Sequence, residues 1–363
     1  MKLNDRQLSL LESATQLVAV SGDEGEVRLF LRGEFTRYGL PMVSDNLGSL
    51  FALKKARGSH NSKVMLCAHM DEVGFMVLYV LDDGLIKASA LGGHSRETLA
   101  AHRVVLKTKS GKKLYGVISS VAPHLKKEEK EVDEDKYVED LRFDFGFASR
   151  DEAEKAGVAI GDSIVVLGSF VALNGGERLL AKAFDDRYGI ALLLDVLDEI
   201  KSDVLPYDLY IGGTAQEEVG SRGATTASQL IEPDLAIVLD CSPARDAGED
   251  KTQYGALGQG VLIRYLDRSM IAFPELLSLQ IEACEKCGVK YQYFDSPGGT
   301  DAGPIHKAND GTLTLTHCIA ARGIHSPSSI IDVNDYLAAK ASLLYLLRHL
   351  DSSRLDILKG ARR

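Results

Sequence analysis

Five short segments each set an acid or a histidine among small or turn-forming residues: Ala68-His69-Met70-Asp71-Glu72, Ala183-Phe184-Asp185-Asp186-Arg187, Ala215-Gln216-Glu217-Glu218-Val219-Gly220, Val238-Leu239-Asp240 and Ile324-His325-Ser326-Pro327. Imidazole and carboxylate suit zinc and similar divalent ions, and a catalytic ion keeps one position open for water. Two ions about 3.5 to 4 Å apart also need a carboxylate able to bridge them. Five ligands with one shared give each ion three protein contacts, and His69, Asp185, Glu218, Asp240 and His325 meet that count. The set predicts a two-metal hydrolase centre with two divalent ions per chain. Zinc, cobalt and manganese are all compatible with such donors.

Two further acids have separate tasks. Asp71, two residues beyond His69, is placed to accept the other ring N–H of that histidine and fix its tautomer. Glu217 neighbours the ligand Glu218 but points elsewhere, because successive side chains of an extended segment alternate. It is the expected general base for a water acidified by the ions. Each segment alone has a plainer reading: Asp-Asp-Arg as a helix N-cap with a charge partner, Glu-Glu as solvated surface, His-Ser-Pro as a turn. Their joint occurrence, in this order and after apolar runs, favours the site.

Those apolar runs predict the elements that carry the site. Helical spacing of Leu8, Leu11, Ala14, Leu17 and Val18, then of Val27, Leu29, Leu31 and Phe35, predicts two helices. Strands are expected over Ser49 to Leu53 and Lys63 to Ala68, the second so continuously apolar that it belongs in a central sheet. His69 and Asp71 then lie past its carboxyl end, where open α/β sheets bind ligands. From about Val73 to Leu180 the texture changes to short β segments between Gly-containing turns: Leu85 to Ala90, Arg103 to Thr108, Lys113 to Ile118 and Ser163 to Leu167. The charged run from Lys126 to Asp140 reads as a solvated, mobile loop. From Phe184 the alternation resumes, with helices over 186–200, 221–230, 273–287 and 333–350 and strands over 208–213, 235–240, 261–265, 290–294 and 312–319. The fold class expected is α/β, with a mixed-sheet catalytic domain over 1–72 and 181–363 and an inserted, barrel-like β-rich domain over 73–180.

Composition narrows the partners. A chain of 363 residues exceeds what one hydrophobic core usually serves, and 45% hydrophobic with 26% charged residues is ordinary for a soluble protein. A formal charge of -10 speaks against a nucleic-acid partner. No run approaches the roughly 18 apolar residues of a membrane span, and the first residues lack the pattern of a signal peptide, so no membrane partner and a cytoplasmic location are expected. Five scattered cysteines fit reduced thiols, and Cys284-Glu285-Lys286-Cys287 has no second C-x-x-C to complete a zinc cage. His306 and His317 are expected to satisfy local hydrogen bonds, and His94 and His102 are minor candidates for a neighbouring subunit's site.

The motifs Cys67-Ala68-His69-Met70-Asp71-Glu72-Val73-Gly74-Phe75, Lys182-Ala183-Phe184-Asp185-Asp186-Arg187, Gln216-Glu217-Glu218-Val219-Gly220, Leu239-Asp240-Cys241-Ser242-Pro243 and Gly298-Gly299-Thr300-Asp301-Ala302-Gly303 resemble, over nearly the whole chain, a known family. It is that of the di-metal aminopeptidases assembling into tetrahedral (TET) particles, family 42 of the metallopeptidases, and within it the glutamyl aminopeptidases. The resemblance implies that Asp185 bridges two ions, one completed by His69 and Asp240, the other by Glu218 and His325. It also implies a cis peptide between Asp185 and Asp186, an insert that serves dimerisation, and a twelve-subunit shell built from dimers that admits only short peptides. Gly298, Gly299, Thr300 and Asp301 would line the pocket for the first side chain. Arg264, at a strand end, is a candidate for pairing a substrate carboxylate, and Lys307 for adding charge. Glutamyl-type members carry their basic residue one position later, where this chain has Ala308.

The expected reaction is removal of N-terminal residues, Glu or Asp foremost, by a hydroxide held between the ions, with Glu217 moving the proton. A neutral-residue (Leu or Ala) aminopeptidase is the near alternative. A glycoside hydrolase working through paired carboxylates would want aromatic platforms, and the chain has no Trp and 7% aromatic residues. A non-catalytic metal-binding assembly protein would be expected to lack Glu217.

Overall fold

The computed structural model describes residues 2–57, 62–120, 124, 134–247 and 255–361. Its centre is an eight-stranded mixed sheet, ordered 42–44, 50–54, 208–214, 63–69, 235–243, 313–321, 261–267 and 291–296. Strands 208–214, 63–69, 235–243 and 313–321 run parallel, so their carboxyl ends share one edge. The continuous apolar run of Lys63–His69 reflects burial on both faces. Val64, Leu66 and Ala68 pack with Tyr188, Leu192 and Val196 of the helix Phe184–Ile200, while Met65 and Cys67 pack with Ala224, Ala227 and Ile231 of the helix Arg222–Ile231.

Strands Gly74–Val80, Ile86–Leu91, Phe143–Asp144, Lys113–Ile118, Arg103–Lys107 and Ser163–Val166 close, in that order, into a barrel. Its own core holds Phe75, Ile86, Val104, Leu106, Phe143 and Ile164. Val18 and Val20 pack on Val105 and Val165 and tie the barrel to the sheet region.

The two opening helices, Asp5–Gln16 and Gly25–Arg37, lie where the spacing places them. Leu29 nevertheless stands 68% exposed. In the charged run, Glu134–Glu139 is a helix with Val138 buried rather than a loop, and residues 126–133 lie outside the described ones. The spacing missed a helix at Arg150–Ala156, another at Ser352–Gly360, and a small sheet of 171–173, 178–181 and 329–332. These elements are short, and their apolar positions are too few to set a period. All five cysteines are free thiols, and no helix among the described residues is long and apolar enough to cross a membrane.

Candidate active site

Each chemical segment reaches the parallel edge from a different element. His69 ends the strand Lys63–His69, and Asp240 lies in the strand Leu235–Pro243 beside it. Glu217 and Glu218 follow the strand Asp208–Thr214 in a turn whose Gln216 (φ 58) and Ser221 (φ 51) are left-handed non-glycine residues. His325, also left-handed, follows the strand Leu313–Ala321. Asp185 enters from the opposite direction, at the irregular start of the helix Phe184–Ile200, where its peptide bond to Asp186 is cis.

Asp185 stands between the two histidines. One of its carboxylate oxygens is 3.1 Å from His69 Nε2 and the other 3.4 Å from His325 Nε2. Glu218 Oε2 is also 3.4 Å from His325 Nε2. Ligand atoms of His69, Asp185 and Asp240 lie within 4.8 Å of one another, as do those of Asp185, Glu218 and His325, so two triads share one aspartate. Both rings turn Nδ1 to a backbone carbonyl, His69 to that of Asp71 and His325 to that of Gly93, each at 3.0 Å. With Nδ1–H donating outward, each Nε2 lone pair faces the acids, the tautomer a metal ligand needs.

The donor set fits divalent ions. Glu218 Oε1 is buried without a hydrogen-bond partner. Burial, with the charges of Asp185 and Asp186 adding, drives the Asp240 carboxyl far above its ordinary range. Burial does the same to Glu218 against the pull of His325. Acids crowded this closely call for positive charge between them. Burial also pushes Glu217 up to about 7, with His69 opposing and Asp301 and Asp71 adding. Glu217 borders a cavity of about 710 Å³ together with Asp185, Glu218, Asp240, His325 and the segment from Ser296 to Thr300.

Other placements differ from expectation. The Asp71 carboxylate is 3.6 Å from His69 Nδ1, while the Asp71 carbonyl takes the closer contact. The carboxylate instead accepts from Ser21 Oγ (2.6 Å) and from the backbone N–H groups of Glu217 (3.0 Å) and Glu218 (3.1 Å), clamping the Glu-Glu turn beneath the site. Arg264 is not free to meet a substrate carboxylate. It is 2% exposed, and its guanidinium donates to Asp267, Ser242 Oγ and the Gly298 carbonyl.

Arg264, Gly298, Gly299, Thr300 and Lys307 border the cavity; Asp301 does not. The close approach permitted by Gly299 and Gly303 is taken by Ser269, whose Oγ would lie 2.9 and 2.4 Å from an added Cβ. His317 is bound locally to Gln280 and the Ala339 carbonyl, and His306 to the Ala302 carbonyl. His94 stacks on Phe75 and bonds the Gly74 carbonyl of its own chain.

Four features escaped the sequence reading. Arg268 is exposed beside the same cavity and, like Lys307, forms no ion pair among the described residues. Glu24 accepts the Gln216 N–H at 3.1 Å. Gly92 and Gly93 bring the barrel against Glu218 and His325, and a Cβ on Gly92 would strike Val73 at 2.6 Å. Glu72 is buried between Lys182 and Arg187. The Gly-Gly pair and the lone Lys and Arg inside the motifs were the available signals.

A mixed α/β sheet whose parallel edge gathers two histidine–carboxylate triads on one aspartate, with a further glutamate at hand, is the site of a metal-dependent hydrolase. The chain belongs to the M42 glutamyl aminopeptidase family, whose model matches residues 48–341. It is 34% identical to the glutamyl aminopeptidase of Lactococcus lactis over 351 residues, 96% of this chain and 98% of that protein. It is similar in structure to a TET aminopeptidase from a marine sediment archaeon of the Thaumarchaeota, with a TM-score of 0.91, 31% identity, and 98% of this chain and 100% of that chain covered. The TET1 peptidase of Pyrococcus horikoshii, which assembles into a tetrahedron or a large octahedral shell, matches with a TM-score of 0.83 and 27% identity over 95% of this chain and 100% of its own. The protein is therefore a metal-dependent aminopeptidase.

Proposed function

We propose that the enzyme removes Glu and Asp preferentially from the N-termini of short peptides. The observation that carries the reaction is the meeting of two triads on Asp185 beside Glu217. His69 and Asp240 would hold one divalent ion and Glu218 and His325 the other, with Asp185 between them. Two such ions would supply Lewis-acid polarisation of the first peptide carbonyl, charge stabilisation of the oxyanion and acidification of water. Glu217 takes the proton of the attacking water and delivers it to the leaving amine, for which a pKa near 7 is well matched. Asp71 holds the Glu217-Glu218 turn in register for both tasks.

Selection for an acidic first residue is assigned to Arg268 and Lys307, the cations bordering the cavity that no acid among the described residues occupies. A charge-assisted hydrogen bond is worth about 1.5–3 kcal/mol, so Arg268→Ala should cut the preference for Glu over Leu substrates by roughly 10- to 100-fold. We also infer a division at residues 72/73 and 180/181, with the barrel serving dimerisation and dimers forming a hollow shell, a reading supported by the assembly of the TET1 relative. A cytoplasmic setting accords with five unpaired thiols.

The test is hydrolysis of aminoacyl chromogenic amides by metal-stripped enzyme before and after adding zinc, cobalt or manganese, with N-acetylated controls. Metal-restored cleavage of free-amine Glu and Asp compounds is expected, and Glu217→Gln should lose about 10²- to 10⁴-fold. Cleavage of Leu or Ala compounds instead would discard the acidic pocket, and full activity of Glu217→Gln would discard the base.

A further inference from the structure

Three successive backbone N–H groups of the Glu-Glu turn are each accepted by a carboxylate from outside it. The Gln216 N–H donates to Glu24 Oε1 at 3.1 Å, the Glu217 N–H to Asp71 Oδ1 at 3.0 Å and the Glu218 N–H to Asp71 Oδ2 at 3.1 Å. Gln216 enters this turn in the left-handed region without being glycine. Such a backbone persists where its surroundings fix it. Glu24 is the side chain that holds it.

Glu24 stands at the N-cap of the helix Gly25–Arg37, yet its side chain makes no cap hydrogen bond. Ser, Thr, Asp and Asn are preferred there because their short side chains reach the first-turn N–H groups. The longer Glu24 turns away from its helix. Its Oε1 accepts the Gly22 N–H at 2.8 Å, closing its own loop, as well as that of Gln216. The residue is 6% exposed and does not border the cavity. Its loop is fastened on both sides: Ser21 Oγ donates to Asp71 Oδ2, while Asp23 Oδ2 meets Ser163 Oγ and Lys107 Nζ of the barrel, each at 2.7 Å.

We propose that Glu24 is a positioning residue for the reaction, setting the turn that presents Glu217 and Glu218. Asp71 fixes the N–H groups of the two glutamates but not the peptide group that leads into them, and that group is the one Glu24 holds. Misplacement of a reacting group by about 1 Å can cost as much as 10²-fold. Glu24 transfers no proton and acts only through the backbone of Gln216. The inference rests on Glu217 and Glu218 having the roles given above.

The experiment compares Glu24→Gln, Glu24→Met and Glu24→Asp as metal-reconstituted enzymes on aminoacyl chromogenic amides. Glu24→Gln keeps an acceptor oxygen at the same reach, and Glu24→Met keeps the length without an acceptor. Glu24→Asp keeps the charge but stops short of Gln216, while suiting the N-cap. Glu24→Met and Glu24→Asp are expected to lower kcat about tenfold with KM within about twofold, and Glu24→Gln to stay within about threefold of the parent kcat. A purely structural role would shift urea midpoints and leave the kcat of the folded enzyme unchanged. Parent-like kcat in Glu24→Met or Glu24→Asp overturns the proposal. So does a loss in Glu24→Gln equal to that in Glu24→Met, because charge rather than the acceptor would then be responsible. Where Glu24→Met fails to fold, Glu24→Asp decides. Glu217→Gln is assayed alongside. If it stays active the base assignment fails, whereas an inactive Glu217→Gln beside a fully active Glu24→Asp removes the positioning role alone.

Discussion

Replacing Glu72 by Gln should damage this protein more than replacing its neighbour Lys182 by an apolar residue. Glu72 is 3% exposed, and both of its oxygens lie 2.7 Å from Lys182 Nζ while Oε1 is 3.1 Å from Arg187. Lys182 and Arg187 are buried as well, and Arg187 spends its other donors on the carbonyls of Met70, Ala14 and Ala19. Glu72→Gln removes the single negative charge facing two buried cations and turns an amide donor toward an ammonium. Breaking a buried pair in this way costs about 3–5 kcal/mol. Lys182→Met leaves a neutral Glu72–Arg187 pair but takes the donor from Glu72 Oε2 and the nearer of two donors from the Leu17 carbonyl, so about 1–3 kcal/mol is expected. The assay is urea unfolding of metal-free protein at one subunit concentration, which keeps ion binding and assembly from masking the difference. Glu72→Gln within about 1 kcal/mol of the parent, or Lys182→Met the more damaging of the two, would refute the reasoning.

Chelation should lower the thermal midpoint as well as abolish activity, because Asp185, Glu218 and Asp240 then face one another without counter-charge. Ions at 100 times their Kd should restore about 2.7 kcal/mol, seen by calorimetry with and without zinc, cobalt or manganese. His317 adds a pH dependence. Burial lowers it to about 4; its Nε2–H donates to the Ala339 carbonyl and Nδ1 accepts from Gln280 Nε2, so a second ring proton has no acceptor. Its folded pKa is depressed below the usual 6.5, so stability from this residue is present above about 6.5 and lost as pH falls toward 4, about 3 kcal/mol in all. Urea midpoints of the parent and His317→Gln should therefore converge over that window, and parallel curves would refute the assignment. Gly92→Ala, strained at φ 80 and pressed on Val73, should weaken binding of one ion by disturbing Glu218, measured as a lower ion content on dialysis.

Four of the ligands, His69, Glu218, Asp240 and His325, were legible because each is a polar residue in or shortly past an apolar strand, and the parallel sheet brings such ends together whatever the details between them. His69, Asp240 and His325 needed only the strand periodicity and the side of the sheet. What supports them depends on angles that spacing does not carry. Arg264 and Arg268 both border the cavity four positions apart, yet one is buried and held by Asp267, Ser242 and Gly298 and the other is exposed. A bulge between Arg264 and Leu266 re-aims the segment there, which no alternation rule anticipates. Asp301 misled in the same manner, since the GGTDAG stretch reads as one pocket wall while its aspartate turns behind that wall to Thr214.

The charge balance of the site explains why these hidden partners matter. Asp71, Glu72, Asp185, Asp186, Glu217, Glu218, Asp240 and Asp301 crowd the sheet edge, where the buried cations Lys182 and Arg187 are both spent on Glu72 and Arg264 is spent on Asp267. Divalent ions held by the two triads would offset most of the remainder, and protons on the least solvated acids can offset the rest. Burial raises Asp186 far above its ordinary range, and its Oδ2 has no partner. Such a centre tolerates one arrangement of charges, because every acid that ionises out of turn faces another across a few ångströms of low dielectric. Backbone N–H groups to Asp71, hydroxyls to Glu217 and Asp301, and a cationic pair confined to Glu72 are the means by which this chain decides which carboxylates stay charged for the ions.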